Sequence, residues 1–314
     1  MRPIVAVTRF KNAGQKFGET LDATGVSHSE DWRKKRSAAD DLRLALSVAL
    51  GDRYGQVVAK CSTELGLQRL HDGALRVRPF YSCRRRWCPV CSWRLSQKRW
   101  GMFVERLPDL IREQPPLRWL MLTLTVRNCA TGDLHSSVKM MLAGFRKLVR
   151  RKRWPGVGWL RAVEVTFPRA GEAHPHIHVL IAVKSRYFKD DGYIKQAEWG
   201  QMWRECCKLD YSPVVDVRRV KPAKAEGVPS CVQEALGGLA EVGKYVTKPS
   251  DLSVNPVEAV DALASLRRVR LVEGGGFLRS IFSDADDDKL DLPTLETVAV
   301  FWWRAVERQY RRKL

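Results

Sequence analysis

The segment His174-Pro175-His176-Ile177-His178-Val179-Leu180-Ile181 constrains the fold of this 314-residue chain more than any other. Histidines at alternate positions, followed by an apolar run, follow the two-residue repeat of a β-strand. His174, His176 and His178 then project from one face while Ile177 and Val179 face a core. The chain has six histidines, so half of them lie on this one strand. Imidazoles fixed on a rigid strand make a metal platform, and a polar strand face without an ion is the plain alternative. The stretch Gly158 to Thr166 reads as a second strand, joined by a short turn around Arg169-Ala170-Gly171-Glu172. Two such strands pair as an antiparallel hairpin. That pairing brings Glu164 beside His176 and His178, and Glu172 in the turn is a further candidate carboxylate. Imidazoles with a carboxylate and open positions suit a hard or borderline divalent ion, Mg2+ or Mn2+.

A second metal signal has the opposite character. Cys83, Cys88 and Cys91 are spaced C-x4-C-x2-C, and Cys61 supplies a fourth thiolate across a hairpin expected around Asp72-Gly73. Four sulfurs saturate a tetrahedral Zn2+ and leave no position for water, so this site is structural. His71 is a rival fourth ligand. Cys129, Cys206, Cys207 and Cys231 lack ligand spacing and read as small buried residues.

Lys and Arg total 55 against 35 acidic residues, a formal charge of +20. Such an excess attracts a polyanion, most simply nucleic acid. Basic clusters recur along the chain, among them Arg84-Arg85-Arg86 in the cysteine knuckle, which are candidate DNA contacts. No run of apolar residues is long enough to span a bilayer, and residues Met1 to Phe10 have no signal-peptide core. A cytoplasmic protein with no membrane partner is expected.

The order of segments predicts an α+β fold: a central antiparallel sheet flanked by helices, with an N-terminal zinc-binding segment. Residues 1–38 read as a flexible basic arm, 39–115 as a helical and four-cysteine zinc-binding segment, 116–250 as the domain holding the histidine strand, and 251–314 as a helical C-terminal extension. The break at Pro115-Pro116 is the expected boundary. A helix is expected over Ser92–Arg112, Asp133–Arg150, Ile194–Lys208 and Pro256–Arg270, and a last one over roughly Pro293–Arg312. Strands are expected over Arg118–Arg127 and Val214–Val220. Gly274-Gly275-Gly276 follow Pro256–Arg270.

The stretch Gly238 to Lys248 reads as the end of a helix stopped by Pro249. On a helix Glu241, Tyr245 and Lys248 share one face. A phenol is a poor nucleophile at its ordinary pKa near 10, and a neighbouring lysine and a divalent cation both favour its reaction. A carboxylate one turn away can orient or deprotonate water.

Three blocks, in order, resemble the rolling-circle replication initiators of small plasmids, within the HUH endonuclease superfamily. Leu122-Thr123-Leu124-Thr125-Val126 resembles the first motif. His174 to Val179 resembles the second, in which His176 and His178 are the metal pair and His174 lies behind the ion or near the phosphate. Glu241 to Lys248 resembles the third, and the cysteine knuckle is similar to that of the subgroup with a single catalytic tyrosine. The resemblance runs from about Cys61 to Lys248. It implies that Tyr245 attacks a scissile phosphodiester in single-stranded plasmid origin DNA, forms a 5′-phosphotyrosine link and later rejoins the strand. Lys248 assists, Glu241 activates water for termination, and Lys244 joins the DNA contacts. The third ion ligand, Glu164, rests on the hairpin argument. A host helicase and polymerase are the implied partners. A transposase or relaxase would use the same chemistry. A non-enzymatic zinc-binding repressor would explain the charge and the cysteines but not the histidine strand.

Overall fold

The computed structural model describes residues 29–69, 73, 75–85, 87–189, 192–222, 231–238, 256–281 and 296–313. The expected arm up to residue 28, His71, Arg86, Glu241, Lys244, Tyr245 and Lys248 lie outside the described residues. In chain order the elements are α1 (Ser29–Leu50), α2 (Asp52–Ala59), β1 (Glu64–Arg69), β2 (Leu75–Pro79), α3 (Pro89–Arg112), β3 (Leu117–Thr125), β4 (Cys129–Ala130) and α4 (Leu134–Leu148). There follow β5 (Gly156–Thr166), β6 (Glu172–Lys184), α5 (Gln196–Cys207) and β7 (Val215–Arg219). Then come α6 (231–238), α7 (Pro256–Ser265), β8 (Val272–Gly276), β9 (Thr297–Arg304) and β10 (Gln309–Arg312). The chain forms two compact units, Met1–Gln97 with Asp287–Leu314, and Lys98–Asp286.

The first unit is a four-stranded antiparallel sheet, ordered β10-β9-β1-β2, with α1 and α2. Its inward side chains alternate along the strands: Leu65 and Leu67, then Ala299, Phe301 and Trp303, then Tyr310. Helix α1 buries Trp32, Arg36, Ala39, Leu42 and Leu46, a stripe at three- and four-residue spacing. The terminal nitrogens of the buried Arg36 donate to the carbonyls of Val58 (3.1 Å) and Ala59 (3.0 Å) and to the Asp40 carboxylate. The Trp303 indole donates to the other Asp40 oxygen at 2.6 Å, and the Tyr310 hydroxyl donates to the Ser62 carbonyl at 2.6 Å.

The second unit is built on an antiparallel sheet ordered β7-β3-β6-β5-β8, with β4 paired to the start of β6. One face packs Leu120, Leu122, Leu124, Ile177, Val179 and Ile181 against side chains of α4, α5 and α7. The other packs Trp119, Met121, Leu160, Leu180 and Ala182 against Phe103, Leu107 and Ile111 of α3 and Val232 and Ala235 of α6. The fold is α+β with antiparallel sheets flanked by helices, as the order of segments predicts.

Three expectations differ from the structure, and a glycine run to which the sequence assigns no element forms a strand. Residues 29–38 are helical rather than a flexible arm, because Trp32 and Arg36 extend the buried stripe one turn further back. Residues 297–312 form β9 and β10 rather than a helix. They complete the first unit's sheet through β1, so the C-terminal segment is not a helical extension. Gly274 to Gly276 are a strand, and the absent side chains are the reason it fits. A Cβ on Gly275 would lie 2.1 Å from the Trp159 ring. The division between units falls after Gln97, inside α3, rather than at Pro115-Pro116.

Candidate active site and metal centre

The histidine strand is β6, between β3 and β5 at the centre of its sheet. In the β5–β6 register Glu164 is opposite His176, Thr166 opposite His174 and Ala162 opposite His178. On the other side Thr123 is opposite His178 and Thr125 opposite His176. Directly opposed residues point to one face, so the register gathers Glu164, the three histidines, Thr123, Thr125 and Thr166 on the face that continues into Leu180 and Met121.

His178 is buried, 4% exposed, and both ring nitrogens are engaged. Nε2 lies 2.9 Å from Glu164 Oε2 and Nδ1 lies 3.2 Å from Thr123 Oγ1. A ring protonated on Nε2 donates to the carboxylate and accepts the threonine hydroxyl. Glu164 is itself 9% exposed, so this is an inner pair rather than a solvated strand carboxylate. His176 has its pKa pushed down to about 4, first by burial and then by the flanking His174 and His178. Its ring is therefore neutral at neutral pH with a lone pair available. Thr166 Oγ1 is 3.4 Å from His176 Nε2. The His176 and His178 rings are stacked with centroids 5.9 Å apart, and His174 sits 4.2 Å from His176. Among the described residues, His174 Nε2 is buried without a hydrogen-bond partner. The register thus brings Glu164, His176 and His178 together as the sequence predicts, while Glu172 lies at the β6 start, where its carboxylate accepts a bond from Asn128. Thr123 and Thr166 are the residues that sequence reasoning missed. The signal was present in the alternating threonines of Leu122-Thr123-Leu124-Thr125, whose partners appear only once the register is known.

The segment carrying Glu241, Lys244, Tyr245 and Lys248 follows α6. A Cβ on Gly238, the last described residue before it, would lie 2.3 Å from Leu180 Cδ1. Leu180 is two positions from His178 on the same face. Gly238 thus packs against the strand that carries the histidines.

The four cysteines converge. Cys61 follows α2, Cys83 follows β2, and Cys88 and Cys91 lie at the start of α3. Their sulfurs all lie within 4.8 Å of one another. Cys61–Cys91 is 3.4 Å, and Cys83–Cys91 and Cys61–Cys88 are 3.7 Å. A tetrahedral zinc with Zn–S bonds of about 2.3 Å has sulfur–sulfur edges of about 3.8 Å, so the cluster fits a metal such as zinc. Hydrogen bonds from the other three thiols push Cys61 well below the usual thiol range. The same contacts push Cys83 and Cys88 up. Cys91, in contact with Cys83 and Cys88, is held down as well, so two thiols ionise readily and the other two call for a cation. The Cys83 amide also donates to Cys61 Sγ, and Ser62 N donates to the Tyr81 carbonyl, closing the two loops on each other. Arg84 and Arg85 are exposed on this knuckle. Among the described residues this is the group of ligand atoms that converges so closely, and the histidine set is more open.

The model of the replication protein family matches residues 74–304. The chain belongs to this family. It is 34% identical to a "Protein rep" of Streptococcus pneumoniae serotype 2 over 314 aligned residues, covering 92% of this chain and 94% of the relative. It is 34% identical to a "Protein rep" of Bacillus amyloliquefaciens, with 84% of each chain covered. With a "Protein rep" of Lentilactobacillus hilgardii it shares 31% identity over 89% of this chain and 94% of the relative. No solved structure matches. Membership agrees with the resemblance to plasmid rolling-circle initiators carried by the three motifs. No described helix is long and apolar enough to cross a membrane.

Proposed function

We propose that this replication protein initiates plasmid rolling-circle replication by nicking single-stranded origin DNA through Tyr245. The observation that carries the reading is the buried Glu164–His178 pair beside the neutral His176, on the strand whose Leu180 packs against Gly238. Glu164, His176 and His178 would hold Mg2+ or Mn2+. To bind an ion, His178 would carry its proton on Nδ1, beside the Thr123 hydroxyl, and turn the Nε2 lone pair to the metal alongside the Glu164 carboxylate. When bound, the ion polarises the scissile phosphate. The Tyr245 oxygen attacks phosphorus as its proton passes to water, and the bond from phosphorus to the 3′ oxygen breaks. Tyr245 keeps the 5′ phosphate, and the 3′ oxygen takes up a proton to become a primer end for the host polymerase, with a host helicase opening the duplex. Lys248 offsets the developing negative charge. Thr123 holds the His178 ring in place, and the partnerless His174 Nε2 is left to meet a phosphate oxygen. Glu241 orients the water that ends the cycle. The knuckle holds Zn2+ and presents Arg84, Arg85 and Arg86 to DNA, Lys244 adds a further contact, and the protein works in the cytoplasm.

Labelled single-stranded origin DNA incubated with the protein and Mn2+ should give a covalent adduct on a denaturing gel. Tyr245→Phe should give none. An adduct as abundant as wild type from that variant would remove Tyr245 from the reaction. Glu241→Ala should nick and fail to release circles, and unchanged release would remove Glu241.

A further inference from the structure

We propose that the outer face of the β10-β9-β1-β2 sheet is a binding platform for single-stranded DNA, separate from the histidine site. Two large aromatic side chains stand on this face with their rings in solvent, Phe80 at 60% and Trp302 at 43% exposure. Single exposed apolar residues are ordinary on a protein surface, so it is their arrangement that matters. The amide of Phe80 donates to the Glu64 carbonyl, and Glu64 is register partner to Trp302. The two rings therefore share one cross-strand row, two strand spacings or about 10 Å apart. The next row runs from Arg78 through Gly66 and Val300 toward Lys313, whose amide donates to the Val300 carbonyl. Arg76 follows on the same edge.

The rows alternate in chemistry, aromatic and then basic. Arg76 and Arg78 are exposed, and no carboxylate of the described residues forms an ion pair with either. The Lys313 ammonium lies 4.9 Å from the Trp302 ring centroid, a cation beside a stacking surface. The acids on this face are few. Glu64 is half-buried within the aromatic row. Glu307 in the β9–β10 turn is bonded to Arg311 at 2.8 Å. At Gly66 the missing side chain gives the Phe80 ring room to lie over the strand, since a Cβ there would sit 3.3 Å from the ring. Rings that offer a flat face, flanked by cations without partners, fit unpaired bases and the phosphates that join them. Duplex DNA hides its base faces, which makes single-stranded DNA the occupant this face selects. A replication protein that has freed a strand has such a ligand at hand.

The test is fluorescence anisotropy of the full-length protein with labelled oligo(dT), against an oligo(U) and a duplex of the same length, without added Mg2+ or Mn2+. It contains no cleavage step, so it succeeds or fails independently of the Tyr245 reading. Phe80→Ala with Trp302→Ala should weaken oligo(dT) binding at least about tenfold and leave duplex binding as in wild type. Phe80→Tyr with Trp302→Phe should retain oligo(dT) affinity, which separates stacking from damage to the fold. Arg76→Ala with Arg78→Ala should lower the salt slope for oligo(dT) by about 1.4. Wild-type affinity in the alanine pair would overturn the proposal, as would equal loss of duplex binding or tighter binding of oligo(U). So would a dimer that dissolves in the alanine pair while oligo(dT) binding stays unchanged.

Discussion

The two units each hold a cluster of metal-ligating side chains, and they build it in opposite ways. In the first, four thiols come from three separate stretches of chain, after α2, after β2 and at the start of α3, and their sulfurs close on one point. In the second, Glu164 and the histidines are fixed by strand register on one face of a sheet, and their ligand atoms stay more open. A set that saturates its ion holds loops together and does no chemistry. A set on a rigid strand with room beside it can present the ion to a substrate. The second unit has extensive apolar packing on both faces of its sheet. The first buries Trp32, Leu46, Leu65, Leu67 and Phe301 and adds polar anchors such as Asp40 between Arg36 and Trp303.

This contrast can be broken at either end. The largest effect is expected from Cys88→Ser, since structural zinc of this kind contributes on the order of 10 kcal/mol to folding. Bound zinc should fall to a small fraction of wild type, and hydrogen exchange over β1, β2 and β9 should lose its protection while that of β5 and β6 persists. Zinc content is read with a chromogenic chelator, and full protection in the metal-free variant would show that the knuckle is dispensable. Next, His178→Ala should keep its zinc but lower the rate of adduct formation by about 100-fold, a barrier change of about 2.7 kcal/mol. An undiminished rate would detach the histidine face from the chemistry. Thr123→Val removes only the hydroxyl at 3.2 Å from His178 Nδ1. The Mn2+ concentration for half-maximal nicking should rise by about tenfold, the usual scale for a group that orients a ligand. The smallest effect belongs to the first unit again. Trp303→Phe deletes the indole bond to Asp40 and should cost about 1 kcal/mol, seen as a lower urea midpoint with no change in the Mn2+ requirement.

What the sequence made legible was local. The β5–β6 hairpin is written in two strand-like stretches with a short turn, and that was enough to bring Glu164 beside His176 and His178, while the register opposite His176 came from the structure. The cysteine spacing likewise named its own ligands. The misreadings share a physical cause, which is dependence on distant partners. Ala299, Phe301 and Trp303 point inward while Trp302 and Arg304 point out, a strand pattern. The partner strand β1 lies more than 200 residues earlier, so no turn signal announced the pairing. Helix α1 was cut short because its buried stripe includes an arginine, and only the carbonyls of Val58 and Ala59 explain why Arg36 can be there. The glycine strand β8 is invisible without Trp159 against it. Within the candidate site, Thr123 and Thr166 gain meaning only from the register.

The proposed function requires the segment after Gly238 to bring the nucleophile to the histidine face. The most direct measurement is mass spectrometry of the proteolysed covalent adduct formed with origin DNA and Mn2+. The account predicts a nucleotide attached through a 5′ phosphate to Tyr245. A nucleotide on any other residue, or origin DNA cut with no adduct at all, would contradict it.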